Sequence, residues 1–233
     1  MTSAKAVLGA IAGRFLFRIS TVQTVEHLGQ FVRFEASGAS LRGAQWRPGD
    51  KVQVFLPSVG MRTYTPLQWG ADGATSFLAY AHGDGPGSAW AKAVQVGDEV
   101  SFFGPRRSIE VSDVEAPLVC FGDETSVALA LALSRARPTR KVTAVLEVND
   151  PAEVRAALDA MGSLLDVHLV AREPKDAHWP ALQEPLRAAL SSGAFGLFTG
   201  RATSIQAVKR GLSAFSFASK TKAYWADGKS GLD

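Results

Sequence analysis

A chain of 233 residues that is 46% hydrophobic can bury one large core or two ordinary ones, and 25 basic against 22 acidic residues leave a formal charge of only +3, too balanced to argue for nucleic acid. A single cysteine, Cys120, excludes a disulfide framework, a thiolate zinc site and a four-cysteine iron-sulfur cluster, so any redox centre must be bound non-covalently. The four histidines, His27, His82, His168 and His178, lack the spacing that aims two at one metal, and no metal is expected.

At the start, Lys5 and the apolar run Ala6 to Ala12 faintly resemble a secretory signal, but Arg14 interrupts it and no small-x-small cleavage site follows. No later stretch approaches the ~20 apolar residues of a membrane span. The expectation is a cytoplasmic monomer that contacts neither membrane nor nucleic acid.

From Phe15 to Val111 the sequence is a series of short apolar runs, among them Phe31 to Phe34, Val52 to Leu56, Ser76 to Ala81 and Val100 to Phe103. Turn signals separate them: Arg47-Pro48-Gly49-Asp50, Asp72-Gly73 and Gly97-Asp98. This rhythm predicts an antiparallel barrel of about six strands. After Glu115-Ala116-Pro117 it changes to strands at 118–121, 142–148, 167–170, 195–199 and 221–225, alternating with helices at 126–136, 152–161, 181–190 and 203–212. Such alternation predicts a parallel sheet. The boundary is expected near Asp113 to Ala116, giving a barrel domain over 1–114 and an α/β domain over 115–233.

Arg62-Thr63-Tyr64-Thr65 follows the Val52 to Leu56 strand. Alternate strand residues share a face, so Arg62 and Tyr64 could offer a cation and an aromatic surface to a flavin dinucleotide; an ordinary edge strand is the alternative. Next, His82-Gly83-Asp84-Gly85-Pro86-Gly87-Ser88-Ala89-Trp90 reads as a glycine-rich loop opening a short helix, a cradle for pyrophosphate. It reads equally as a hairpin loop with Ser88 as a plain cap and Trp90 in the core. Gly122-Asp123-Glu124-Thr125-Ser126 joins the first parallel strand to its helix, where open α/β sheets bind ligands. G-x-G-x-x-G is absent, and the two acids would repel phosphate unless they cap the helix.

Taken in order, R-T-Y-T, H-G-D-G-P-G-S-A-W-A, G-D-E-V-S-F-F-G-P-R-R-S, G-D-E-T and L-E-V-N-D-P-A-E-V resemble the siderophore-interacting protein family over about Ser20 to Trp225. The resemblance implies a ferredoxin-NADP reductase-like fold, a Greek-key barrel for FAD followed by an α/β domain for NAD(P)H, and reduction of ferric siderophores. It further implies Arg62 at the FAD phosphates, Tyr64 beside the flavin and Thr65 near its reactive edge. Thr63, His82, Gly83, Gly85, Pro86, Gly87, Ser88 and Trp90 would line the rest. Asp123, Glu124, Thr125 and Ser126 would border the nicotinamide nucleotide or the substrate entrance, and Glu147, Asn149 and Asp150 would lie where ribose hydroxyls are met.

The chain departs from the family in places. After Phe198-Thr199-Gly200 it has Arg201 where relatives usually carry glutamate, a change that could favour a 2′-phosphate and so NADPH, or could equally be a surface arginine. Pro66-Leu67 replaces a usual Val-Arg, and Arg107 a glycine. Arg106, Arg107, Lys220 and Lys222 are candidate contacts for an anionic ferric complex. Competing readings are a general flavin oxidoreductase, a reductase fed by ferredoxin, and a non-enzymatic FAD or siderophore binding module.

Overall fold

The computed structural model describes residues 17–56 and 60–228, so the Lys5 to Arg14 stretch lies outside the described residues. Seven strands form one antiparallel sheet: β1 (Phe17–Leu28), β2 (Phe31–Ser37), β3 (Lys51–Leu56), β4 (Gly60–Tyr64), β5 (Pro66–Trp69), β6 (Ala74–Tyr80) and β7 (Glu99–Arg106). Their order is β4-β3-β7-β1-β2-β6-β5. Alternation sets the faces, as period-two patterning requires. In β2, Val32, Phe34 and Ala36 are buried in the barrel, while Arg33 and Glu35 point the other way and pair at 2.8 Å. Phe34, Phe77 and Phe102 stack in series at 4.9 and 5.2 Å, each worth about 1.5–3 kcal/mol of burial.

The sequence predicts about six strands and the structure has seven, because the run from Gly60 to Trp69 breaks at Thr65. Pro66 has no N–H to continue a ladder, so the chain turns a corner there. Tyr64 still pairs with Val52 of β3, whereas Pro66 pairs with Phe77 of β6 at the far end of the sheet order. One residue therefore joins the two ends of the sheet, and the barrel closes at Thr65. Between β6 and β7 lies a short helix, α1 (Pro86–Ala93).

The remainder alternates as expected: β8 (Leu118–Gly122), α2 (Val127–Ala136), β9 (Val142–Val148), α3 (Pro151–Ala160), β10 (Asp166–Ala171), α4 (Trp179–Ser191), β11 (Phe195–Arg201), α5 (Ala202–Gly211) and β12 (Ser219–Trp225). These strands are all parallel, in the order β10-β9-β8-β11-β12. The order reverses between β8 and β11, and ligands of open α/β sheets bind at such a switch point.

Helix α2 is buried all round from Val127 to Leu133, which a one-faced surface helix would not be. It packs on β9 of its own sheet and on β5 and β6 of the barrel. Phe31, Leu67 and Leu78 of the barrel share one apolar cluster with Leu118, Leu146 and Leu129, so a single core runs across both sheets. Among the described residues no helix is long and apolar enough to cross a membrane, and no three His, Cys, Asp or Glu side chains are placed to hold a metal ion.

Candidate functional site

A cavity of about 310 Å³ opens where the barrel corner faces the end of the parallel sheet. The barrel contributes Thr63, Tyr64, Thr65, Tyr80 and His82, and the other half contributes Thr125, Lys222, Tyr224 and Trp225. Thr65 stands between them, beside the Tyr224 hydroxyl of β12, which also lies near Thr199. Burial raises the Tyr224 phenol far above the ordinary tyrosine range, so it stays neutral. Tyr64 is pushed up to about 12 by burial against the pull of Arg62. Tyr80 also rises to about 12, through burial and then the charge of Glu124.

Arg62 and Tyr64 share a face and meet the start of α1. A Cβ on Gly87 would lie 3.5 Å from Tyr64 Oη and 3.7 Å from the Arg62 stem, so the first turn of the helix rests against both side chains. Gly85, the N-cap, supplies no capping side chain, and first-turn amides lack intrahelical partners. A cation, an aromatic ring and a helix N-terminus converge there, a chemistry that fits a dinucleotide pyrophosphate. Two residues of the loop serve the fold instead. Ser88 Oγ donates to the His82 carbonyl and closes the loop on itself, and Trp90 packs against Phe34 and Tyr64, both at 5.6 Å. His82 stacks on Tyr80 at 4.6 Å and 20°.

The Gly122 to Ser126 turn lies at the switch point, and its acids do cap and brace. Asp123 is buried and accepts four hydrogen bonds: Thr125 N and Oγ1 at Oδ1, and Arg201 N (2.9 Å) and Trp225 Nε1 (2.8 Å) at Oδ2. Burial pushes its carboxyl upward, and the Thr125 and Trp225 bonds pull it back. Gly200, at φ +91°, is held to glycine by this knot, because a Cβ there would meet Asp123 Oδ2 at 2.4 Å. Ser126 bonds Thr199 at 2.9 Å and joins β8 to β11. Glu124 is likewise buried, gripped at both oxygens by Arg172 at 3.0 and 2.8 Å.

Several sequence expectations are not brought to this site. Glu147 is fully buried, its Oε2 2.9 Å from His178 Nε2, and so offers no face to a ribose. Asp150 caps α3 through Ala152 N and Glu153 N. Arg201, read as a 2′-phosphate ligand, is engaged by Asp176 (2.9 Å) and Asp227 (2.8 and 3.0 Å) and lies over the Trp225 ring. Burial opposes its charge, and the two carboxylates more than restore it. A 2′-phosphate would have to compete with these two carboxylates for Arg201. Of the basic candidates Lys222 lines the cavity. Lys220 donates to the Glu110 carbonyl, Arg107 lies 3.6 Å from Glu110, and Arg106 bonds Gln53 over the Phe103 ring. Cys120 is a buried core thiol raised to about 12 by burial.

Several residues at the site went unread in the sequence: Tyr80 ends an apolar strand, Lys51 begins one, Arg172 follows β10 with no motif around it, and Tyr224 and Trp225 end β12. The signal for Tyr80 was its place two residues before His82, on the same strand-to-loop exit.

Comparison with known proteins agrees with this geometry. Residues 58–109 match the family model described as the siderophore-interacting FAD-binding domain, the segment that carries the barrel corner and α1. No curated protein matches the chain. Among solved structures it is similar to a siderophore utilization protein from T. fusca, at 22% identity over 93% of this chain and 95% of that one, with a TM-score of 0.70. It is also similar to a siderophore-interacting protein from Aeromonas hydrophila (19%, 92% and 93%, 0.71). A ferredoxin NADP+ reductase from Neisseria gonorrhoeae, solved with bound FAD and NADP, gives 16%, 89% and 98%, and 0.69. The fold is that of the siderophore-interacting proteins and ferredoxin reductases.

Proposed function

We propose that this chain binds FAD in the cleft between the barrel corner and β12 and works as an NAD(P)H-dependent flavin oxidoreductase whose acceptor is a ferric siderophore. The observation that carries the reading is the meeting, in one cavity, of the Thr63-Tyr64-Thr65 corner, the stacked Tyr80–His82 pair and the Tyr224–Trp225 strand end. The match of residues 58–109 to a FAD-binding family model supports it independently. We retain the division into a FAD-binding barrel over 1–114 and a nucleotide-binding half over 115–233.

Arg62 and the first turn of α1 would hold the pyrophosphate, Tyr64 would flank the ring system, and Thr65 would present a hydroxyl beside that of Tyr224. FAD, when bound, would supply the redox chemistry that links a two-electron hydride donor to one-electron acceptors. The protein's own work is orientation and electrostatics. No side chain need act as a general base, and the neutral phenols of Tyr64, Tyr80 and Tyr224 keep the cleft wall free of added negative charge. Lys222 at the cleft offers positive charge to an anionic ferric complex. The iron is substrate, leaving as Fe(II), which oxygen-rich chelators hold weakly.

Anaerobic stopped-flow absorbance tests this. Flavin bleaching by NADH or NADPH, followed by recovery on adding a ferric siderophore, is the expected result. Bound flavin that neither nucleotide bleaches would move the donor to a reduced ferredoxin, and a chain that binds no flavin would end the proposal.

A further inference from the structure

The second cavity, about 180 Å³, shares Tyr80, His82, Thr125 and Trp225 with the first and is closed at its back by Arg172. Behind that shared wall lies a network drawn from both halves of the chain. Glu124 Oε1 accepts from Asn149 N at 2.7 Å, from Arg172 Nη1 at 3.0 Å and from Tyr80 Oη at 3.3 Å, while Oε2 takes Arg172 Nη2 at 2.8 Å. Arg172 Nη1 also bonds Asn149 Oδ1 at 2.8 Å, and Asn149 Nδ2 returns to Tyr80 Oη at 3.3 Å. His82 is stacked on the Tyr80 ring.

We infer that Arg172 is a positioning residue of the cleft: its two-pronged hold on Glu124 fixes the Tyr80 hydroxyl, and through it the Tyr80–His82 stack that forms the cleft wall. That this wall faces a flavin rests on the function proposed above; the network itself does not.

The charge distribution shows why an arginine stands there. The end of the parallel sheet buries three carboxylates, Asp123, Glu124 and Glu147, and Arg172 interacts with each. Asp123 is met by Thr125, Arg201 N and Trp225, and Glu147 by His178. Glu124 has its charge answered by Arg172 alone among the partners described for it. A buried carboxylate that loses its cation is left uncompensated and moves toward other donors or solvent, and that movement releases the tyrosine hydroxyl. Lysine would keep the charge without the planar fork that holds both oxygens.

The chain has only four histidines, so their ring protons can be followed singly by NMR in the full-length protein, with and without FAD. In wild type the His82 ring protons should be displaced by the current of the Tyr80 ring. Arg172→Gln is expected to abolish that displacement while His27 and His168 stay in place, and to raise the FAD dissociation constant about tenfold. The double variant Arg172→Gln with Glu124→Gln, a neutral pair able to hydrogen-bond, should return both readouts toward wild type. If Arg172→Gln does not fold, Arg172→Lys is read in the same way. Unmoved His82 signals in a folded variant, even with a lowered melting temperature, would overturn the inference and leave Arg172 a stabilising ion pair. Displaced His82 signals in a protein that binds no FAD would support the inference and sink the functional reading.

Discussion

Asp123→Asn keeps the volume of the side chain and changes only its hydrogen-bonding character. All four groups that meet Asp123 are donors: Thr125 N, Thr125 Oγ1, Arg201 N and Trp225 Nε1. A carboxylate accepts from them at both oxygens, whereas an asparagine can turn its oxygen to one pair and must face the other with its own N–H groups. With the oxygen turned to Arg201 N and Trp225 Nε1, the Thr125 hydroxyl can rotate to accept from the amide, and Thr125 N is the one donor left unmet, at about 1–3 kcal/mol. For a chain of this size each kcal/mol lowers the melting temperature by about 2–4 °C, so a fall on the order of 5 °C is expected. Urea unfolding followed by tryptophan fluorescence measures it and also reports on Trp225. The alternative is that burial keeps Asp123 protonated; then one of the four contacts would already face a hydroxyl, and the amide would be nearly neutral. A change below about 1 kcal/mol would refute the carboxylate assignment and the knot built on it.

Gly200→Ala should disturb the same knot from the other side, adding about 1–2 kcal/mol of backbone strain to the 2.4 Å collision with Asp123; a melting curve like wild type would show that Asp123 can move aside. Tyr224→Phe removes the hydroxyl shared by Thr65 and Thr199 and should cost about 1 kcal/mol, read by denaturant unfolding; a larger effect on FAD affinity than on stability would place Thr65 at the cofactor. Glu110 is lowered from 4.5 to about 2, first by the Ser112 hydroxyl, then by the Ser112 amide and Arg47. A depressed carboxyl stabilises above its unfolded value and loses that contribution as pH falls through the folded one. The stability gap between wild type and Glu110→Gln should therefore be present at pH 6, shrink below about 4.5 and vanish near 2; a gap that persists at pH 2 would reject the assignment.

What the sequence disclosed was whatever repeats at short range. The period-two runs and turn residues of the barrel, and the strand–helix alternation after Pro117, needed no tertiary information. The break at Thr65 was written in Pro66, yet its consequence was not, because only pairing shows that β4 and β5 lie at opposite ends of the sheet order. Arg201 illustrates the harder limit. A lone arginine beyond a strand end suits a phosphate in isolation, and nothing local reveals that Asp176 and Asp227, each about 25 residues away, have already taken its guanidinium. Glu147 misled in the same way: its place at a strand end suggested a ribose contact, and His178, 31 residues on, turned it inward.

The two walls of the cleft come from distant parts of the chain, and this determines what each can specify. Residues 58–109, which match the FAD-binding family model, provide the corner, the Tyr80–His82 stack and α1, the elements suited to a cofactor common to many enzymes. The opposite wall, Thr125, Lys222, Tyr224 and Trp225, lies outside that segment and is tied to the switch point through Asp123 and Thr199. On the function proposed above, a donor or an acceptor approaching the cofactor would meet this second wall. Differences in electron donor and ferric substrate should therefore follow changes at Lys222, Trp225 and the Asp123–Arg201 knot, while changes at Arg62, Tyr64 or Gly87 should first weaken FAD binding. The two sets of effects should meet where the walls touch, at Thr65 beside Tyr224 and at Tyr80 bonded to Glu124 and Asn149.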